Sequence, residues 1–165
     1  MTIQPGGAVR ELCAAADEAL RQASFCTGEF AEAERLFSDA AAAATRDGDT
    51  AGLARATSGL GQTRHGRNVV TLVAGGVPTE ADIAAEEDLT GRALGLWRET
   101  GDSAGTGRAL FDMSLVFQVL RRDWDTGMRY LWPAVGLAEA SLLPWRVQDA
   151  EDTLRKAQAA AQGGP

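Results

Sequence analysis

Lysine is almost missing from this chain. Sixteen basic residues include a single lysine, Lys156, against 23 acidic residues, for a formal net charge of −7. With a sequence pI near 4.7, there is no basic excess to build the cationic face that nucleic acid or an anionic membrane surface demands. Neither is expected as a partner. Cysteine is scarce too: Cys13 and Cys26 fall on or just beyond one expected helix, where a rise of about 1.5 Å per residue separates them beyond disulfide reach. Reduced thiols in a cytoplasmic protein are the expectation. No apolar run approaches the roughly eighteen residues of a membrane span, and no charged-then-apolar leader is visible. The one histidine, His65, has no companions at metal-ligand spacing, and neither a glycine-rich phosphate loop nor a nucleophile with an assignable base is present. No metal and no cofactor is expected.

What the chain does have is alanine, glycine and arginine in abundance, a composition of GC-rich bacterial genomes, and 165 residues, one domain's worth. It also has an internal repeat. Gly48–Ala56 reads GDTAGLARA and Gly101–Ala109 reads GDSAGTGRA, 53 positions apart (101 − 48), and repeats of this kind mark a recurring structural unit. Each copy has the form of a helix start, with Thr50 or Ser103 available to cap the first amides.

Helical spacing of apolar residues organises nearly all the rest. Helix one is expected over about 8–24, on Val9, Leu12, Cys13, Ala16, Leu20 and Ala23. Helix two covers 29–45, with Phe30, Ala33, Leu36, Phe37, Ala40 and Ala44 on one face. Helix three runs from 50 or 51 to about 65, weakened by Gly59 and Gly61. Residues 66–78, where NVVTLVAGGV combines β-branched residues with two glycines ahead of Pro78, read as an inserted loop, with helix three continuing into it for a turn or two as the alternative; the loop is either a lid or plug over a groove or a long connection packed on the core. Helix four follows from Thr79 to about Glu99, burying Ile83, Leu89, Ala93, Leu96 and Trp97. Helix five spans Ser103–Arg121 and is apolar nearly all round, the mark of a helix buried on several sides. Helix six covers 124–140 with Pro133 inside it, and helix seven runs from about Pro144 to Ala161. The acidic runs Glu86-Glu87-Asp88 and Asp149–Asp152 read as solvated faces.

This pattern resembles the tetratricopeptide repeat. Gly28, Phe30, Ala33, Phe37 and Ala40 match the turn and second helix of that repeat; Leu60-Gly61 matches its Leu-Gly pair, and Met113-Ser114 is a looser version. Asp123-Trp124-Asp125, then Gly127, Leu131 and Ala134, repeats the small-large-small scheme. The period of 53 rather than about 34, the insert at 66–78 and Pro133 depart from it. The resemblance implies an all-α, antiparallel array of about seven helices in a right-handed superhelix. It also implies that the first helix of each pair lines a concave groove, presenting Arg55, Ser58, Gln62 and His65 from helix three and Arg108, Phe111, Leu115 and Gln118 from helix five.

Two residues stand out for chemistry. His65 carries the side chain that changes charge near neutral pH; alternatively it is a helix-end residue bonded to a carbonyl or to solvent. Asp112 interrupts the apolar run Leu110, Phe111, Met113, and a buried carboxylate is costly unless paired. Arg108, one turn earlier, is its expected partner, and Asp112 then serves either as a buried acid, as an anchor for a cationic or hydroxylated ligand, or as half of a structural ion pair. Trp132, beside Pro133, either walls an apolar pocket or caps the array, while Trp124 reads as core.

Two functions follow as expectations. In the first, a tetratricopeptide-like module presents its groove to a protein or peptide partner. In the second, the chain is a small-molecule-binding protein or a small cyclase- or isomerase-type enzyme of a bacterial biosynthetic pathway, with an apolar pocket between helices three, five and six and with Asp112 and His65 as the catalytic pair. Homodimerisation is compatible with either.

Overall fold

A computed structural model describes residues 6–140, and the expected helix seven and its acidic run lie outside them. Among the described residues the chain is all-helical, with no strand. Six α-helices follow in order: α1 (Gly7–Gln22), α2 (Ala31–Asp47), α3 (Thr50–Val73), α4 (Glu80–Thr100), α5 (Ser103–Leu115) and α6 (Trp124–Ala140). Wider π turns extend α1 over Ala23–Thr27 and α5 over Val116–Arg121. Consecutive helices pack on one another, and α1 and α5 both also touch α3.

Three helix starts share one local device. Gly48, Gly101 and Arg122 adopt left-handed backbone (φ 67°, 69° and 53°), and the aspartate that follows each accepts from the amide three residues on. These bonds are Gly52 N–H to Asp49 at 2.8 Å, Gly105 N–H to Asp102 at 2.8 Å and Thr126 N–H to Asp123 at 3.1 Å. The repeated Gly-Asp therefore encodes a chain reversal plus an N-cap. The caps are Asp49 and Asp102, not the expected Thr50 and Ser103, which already lie inside their helices. Thr79 does cap α4, accepting from Asp82 N–H at 3.2 Å. Bonds from Thr126 hold the Asp123 carboxyl below its usual value. With the folded value depressed, this contribution is present above the ordinary carboxylate range and is lost as pH falls through the folded value.

The expected face of α2 is buried except for half-buried Leu36, and Phe37 and Ala40 are fully enclosed. One apolar cluster joins Val9, Cys13 and Ala16 of α1 to Phe37, Ala40 and Ala44 of α2 and Ala56 of α3. A second joins Ala54 to Leu94, Trp97, Ala109, Leu110 and Ala134. α3 belongs to both, and its glycines admit its neighbours. A Cβ at Gly59 would strike the Phe37 ring, one at Gly66 would lie 2.5 Å from the Phe30 ring, and one at Gly61 would lie 2.9 Å from Thr90 Oγ1. These glycines cost helix propensity and return it as close packing with α2 and α4. Ion pairs add lateral ties: Glu34 holds Arg64 at 3.1 Å and Arg67 at 2.5 Å, and Arg121 joins Glu87 at 2.6 Å. At this exposure each is worth at most about 1 kcal/mol.

Residues 66–78 are not an inserted loop. Helix α3 continues through Val73, and only a short connection from Ala74 to Thr79 precedes α4. Local propensity favours a break at Gly66, but tertiary contacts at Gly66 and Asn68 outweigh it. No lid exists here, and the end of the helix leaves Val73 and Val77 exposed. Trp124, expected in the core, is 38% exposed at the start of α6.

Two stability experiments follow. Gly59→Ala should cost about 1–3 kcal/mol through overpacking against Phe37, whereas Gly95→Ala in α4, where a Cβ meets nothing within 4 Å, should gain about 0.5–1 kcal/mol. Denaturant titration of both variants checks this, and equal effects would contradict the packing of α2 on α3. Arg122→Gly removes the left-handed penalty on a residue bearing a Cβ, about 1–2 kcal/mol, and should raise Tm; an unchanged or lowered Tm would refute the turn geometry.

Candidate functional site

Helical spacing sets the polar residues on common faces. Arg55, Ser58, Gln62 and His65 follow one stripe of α3, and Arg108, Phe111, Asp112 and Leu115 follow one stripe of α5. These stripes meet α4 and the last turns of α1 around a cavity of about 240 Å³, lined by Leu20, Ser24, Gln62, His65, Glu86, Arg108, Phe111, Asp112 and Leu115 together with Gly61, Gly66 and Thr90. None of these residues comes from α6, so the walls are α1, α3, α4 and α5 rather than helices three, five and six.

One wall carries a histidine fixed by a buried acid. The Glu86 side chain is 2% exposed and its Oε1 lies 2.8 Å from His65 Nδ1. Its Oε2 accepts from Asn68 Nδ2 at 2.7 Å. A carboxylate only accepts, so Nδ1 carries the proton of the neutral ring and Nε2 carries the lone pair. Nε2 has no hydrogen-bond partner among the described residues. Burying a carboxylate costs several kcal/mol unless its oxygens are paired, and both oxygens of Glu86 are.

The opposite wall carries Asp112, 14% exposed. Arg108 Nε donates to Oδ1 at 2.8 Å and to Oδ2 at 2.9 Å, and Gln62 Nε2 donates to Oδ2 at 2.9 Å. The expected Arg108 pair is present, joined by Gln62 from across the repeat. Gln62 and Arg108 also line a second hollow of about 320 Å³ with Asp17, Arg55, Ser58 and Trp97. There Asp17 accepts from Arg55, and Trp97 Nε1 donates to Ser58 Oγ at 2.8 Å. This hollow shares Asp17, Arg55 and Trp97 with a third, about 780 Å³, at the N-terminal ends of α1, α3 and α5. Cys13 lies there, its thiol pushed up by burial, with Arg55 pulling the other way.

The structure thus places Arg55, Ser58, Gln62, His65, Arg108, Phe111, Asp112 and Leu115 in two neighbouring hollows that share Gln62 and Arg108. It does not bring Gln118 or Trp132 there. Gln118 is 4% exposed beneath α6, its Nε2 4.0 Å from Met128 Sδ and its Oε1 buried without a partner among the described residues. Gln118 lies within the π turn Val116–Arg121, where the backbone departs from α-helical phase. Trp132 is 56% exposed on α6 and lines none of these hollows.

Glu86 is the residue that sequence reasoning placed wrongly, on a solvated acidic face. A signal was available: Ile83, Glu86, Thr90, Ala93 and Trp97 share one helical stripe, and all five are buried. Among the described residues no three His, Cys, Asp or Glu side chains converge to hold a metal ion, and no helix is long and apolar enough to cross a membrane. Neither a protein-family model nor a curated protein sequence matches this chain.

Glu86→Ala should cost about 2–5 kcal/mol, because it strands the Asn68 amide and the His65 donor in the cavity wall. In the parent protein, imidazole ¹⁵N shifts should report an unprotonated Nε2 in the neutral ring. A stability loss below about 1 kcal/mol, or the opposite tautomer, would show that the Glu86 bonds do not form.

Proposed function

We propose that this chain binds a small molecule in the cavity between α1, α3, α4 and α5, and that His65, oriented by Glu86, exchanges a proton with it. The observation that carries this reading is the presence of two hydrogen-bonded sets, His65–Glu86 and Gln62–Asp112–Arg108, on the walls of a single cavity of about 240 Å³, with Asn68 holding the second oxygen of Glu86 from outside the lining. Leu20, Phe111 and Leu115 supply apolar surface between them. A compact, mostly apolar cleft with a few convergent polar groups is the usual form of a small-molecule site. A structural core would not need a histidine whose second nitrogen is left without a protein partner.

In this role His65 Nε2 accepts a proton from an acidic C–H or O–H of the ligand, and Glu86 stabilises the imidazolium through Nδ1–H. Return of the proton to another ligand atom completes an isomerisation or cyclisation with no net proton change. Asp112 does not act as the acid, since both its oxygens are occupied; it is a positioning residue for Arg108.

A second reading, a tetratricopeptide-like module that lays a peptide along its inner face, is favoured by the succession of three hollows, each sharing lining residues with the next. The hairpin-by-hairpin packing and the recurring Gly-Asp reversal support that architecture, with a right-handed superhelix as its extension. The two readings separate by position, since a peptide would need the outer hollow and a small molecule only the inner one.

Leu115→Trp should fill the inner cavity and abolish the thermal shift given by small apolar ligands, while Ala14→Trp in the outer hollow should leave it intact. Differential scanning fluorimetry with circular dichroism as the folding control reads both. Loss of binding in Ala14→Trp together with retention in Leu115→Trp would reverse the assignment.

A further inference from the structure

We infer that the ligand of this cavity is an apolar acid, whose anionic group docks between Arg108 and Arg55 while its apolar body fills the pocket beside His65. This rests on the small-molecule reading above and adds the chemical class of the ligand. It follows from counting hydrogen-bond capacity rather than charge.

Asp112 is matched by Arg108 and Asp17 by Arg55, while Glu86 keeps its charge against the neutral His65 ring. The hydrogen-bond valences are less evenly matched. Both oxygens of Asp112 are taken, by Arg108 Nε and Gln62 Nε2, and both oxygens of Glu86 by His65 and Asn68. Each acid thus already has a donor on both oxygens, which leaves it less to offer a cationic ligand than an unpaired Asp112 would have, while His65 Nε2 stays open as an acceptor. The arginine donors are not all taken. A guanidinium carries N–H groups on three nitrogens, and Arg108 uses only Nε on Asp112; its two terminal nitrogens have no hydrogen-bond partner among the described residues. Arg55 uses one terminal nitrogen on Asp17 and keeps the other and Nε. Both arginines face the 320 Å³ hollow, which shares Gln62 and Arg108 with the cavity that contains His65.

Asp112 fixes the Arg108 fork through Nε and leaves its outer edge, a pair of parallel N–H groups, without a partner among the described residues, and such an edge can grip a carboxylate through both oxygens. Arg108 is one-third exposed and Asp112 less than half of that, so the fork stands at the mouth with its support behind it. At about 30 Å³ per water-sized volume, a cavity of about 240 Å³ admits a single-ring body next to Phe111 and Leu115. A ligand so held presents the atoms next to its ring to His65 Nε2.

Three probes of one shape separate the possibilities: 3-phenylpropanoate, 3-phenylpropanamide and 3-phenylpropylamine, each titrated while the His65 imidazole resonances are followed by NMR. The expected result is that the carboxylate shifts those resonances with a Kd at least about tenfold below that of the amide, with the amine weakest. Arg108→Gln should erase the preference for acid over amide. Arg55→Gln should reduce the preference, and it serves as the second variant should Arg108→Gln lose its helical signal. Equal or tighter binding of the amide or amine would overturn the acid preference and leave the cavity reading standing. If no probe moves the His65 resonances while the parent stays folded, the cavity reading fails and the acid preference with it.

Discussion

How closely its neighbours can approach α3 decides the rest of this structure. A helix surrounded by others must keep their axes near, and α3 does so by omitting side chains where a large one arrives: Gly59 receives the Phe37 ring, Gly66 the Phe30 ring, and Gly61 lies against Thr90. Bringing α2 and α4 this close seals Glu86 from water and sets its carboxylate within bonding reach of both His65 and Asn68. Any increase in those spacings would turn a satisfied buried network into an unsatisfied one. Packing and the polar site are thus one arrangement, with the same small residues responsible for both.

The site itself shows how a chain with little recognisable chemistry assembles a hydrogen-bonded polar cluster. No two of its key polar residues are neighbours in sequence except through a helical turn. Asp112 and Arg108 share α5, but Gln62 reaches them from α3, 50 positions away, and Glu86 reaches His65 from α4, 21 positions away. Each acid is held by donors on both oxygens, so the network orders itself without a ligand. What it leaves unoccupied is selective: one imidazole nitrogen and the outer edges of two guanidinium groups. A site is defined as much by the hydrogen-bond valences it leaves open as by those it closes.

The repeat has a structural meaning distinct from function. Its Gly-Asp signature encodes a left-handed reversal followed by a capped helix, and Arg122-Asp123 performs the same reversal with a side chain where glycine would be expected. Sequence identity between the copies ends where their surroundings differ: His65 and Gln118 are repeat equivalents, yet one faces a cavity and the other lies beneath α6. Gln118 sits in the π turn that follows α5, whereas His65 sits within the regular helix α3.

The sequence by itself determined the all-helical class, the stripes that become the buried faces, and the pairing of Asp112 with Arg108, because these depend on periods of three and four residues. The boundaries of α3 escaped it, since contacts from α2 and α4 carry the helix through a glycine at which local propensity would end it. Glu86 escaped it for a related reason: a charged residue on a buried stripe reads as solvated until the donors that satisfy it are known, and those sit on another helix. Which helices wall the cavity, which nitrogen of His65 is left free and which guanidinium edges remain open were decided only by the tertiary structure. Each of these depends on distances between segments far apart in the chain, and no local pattern records them.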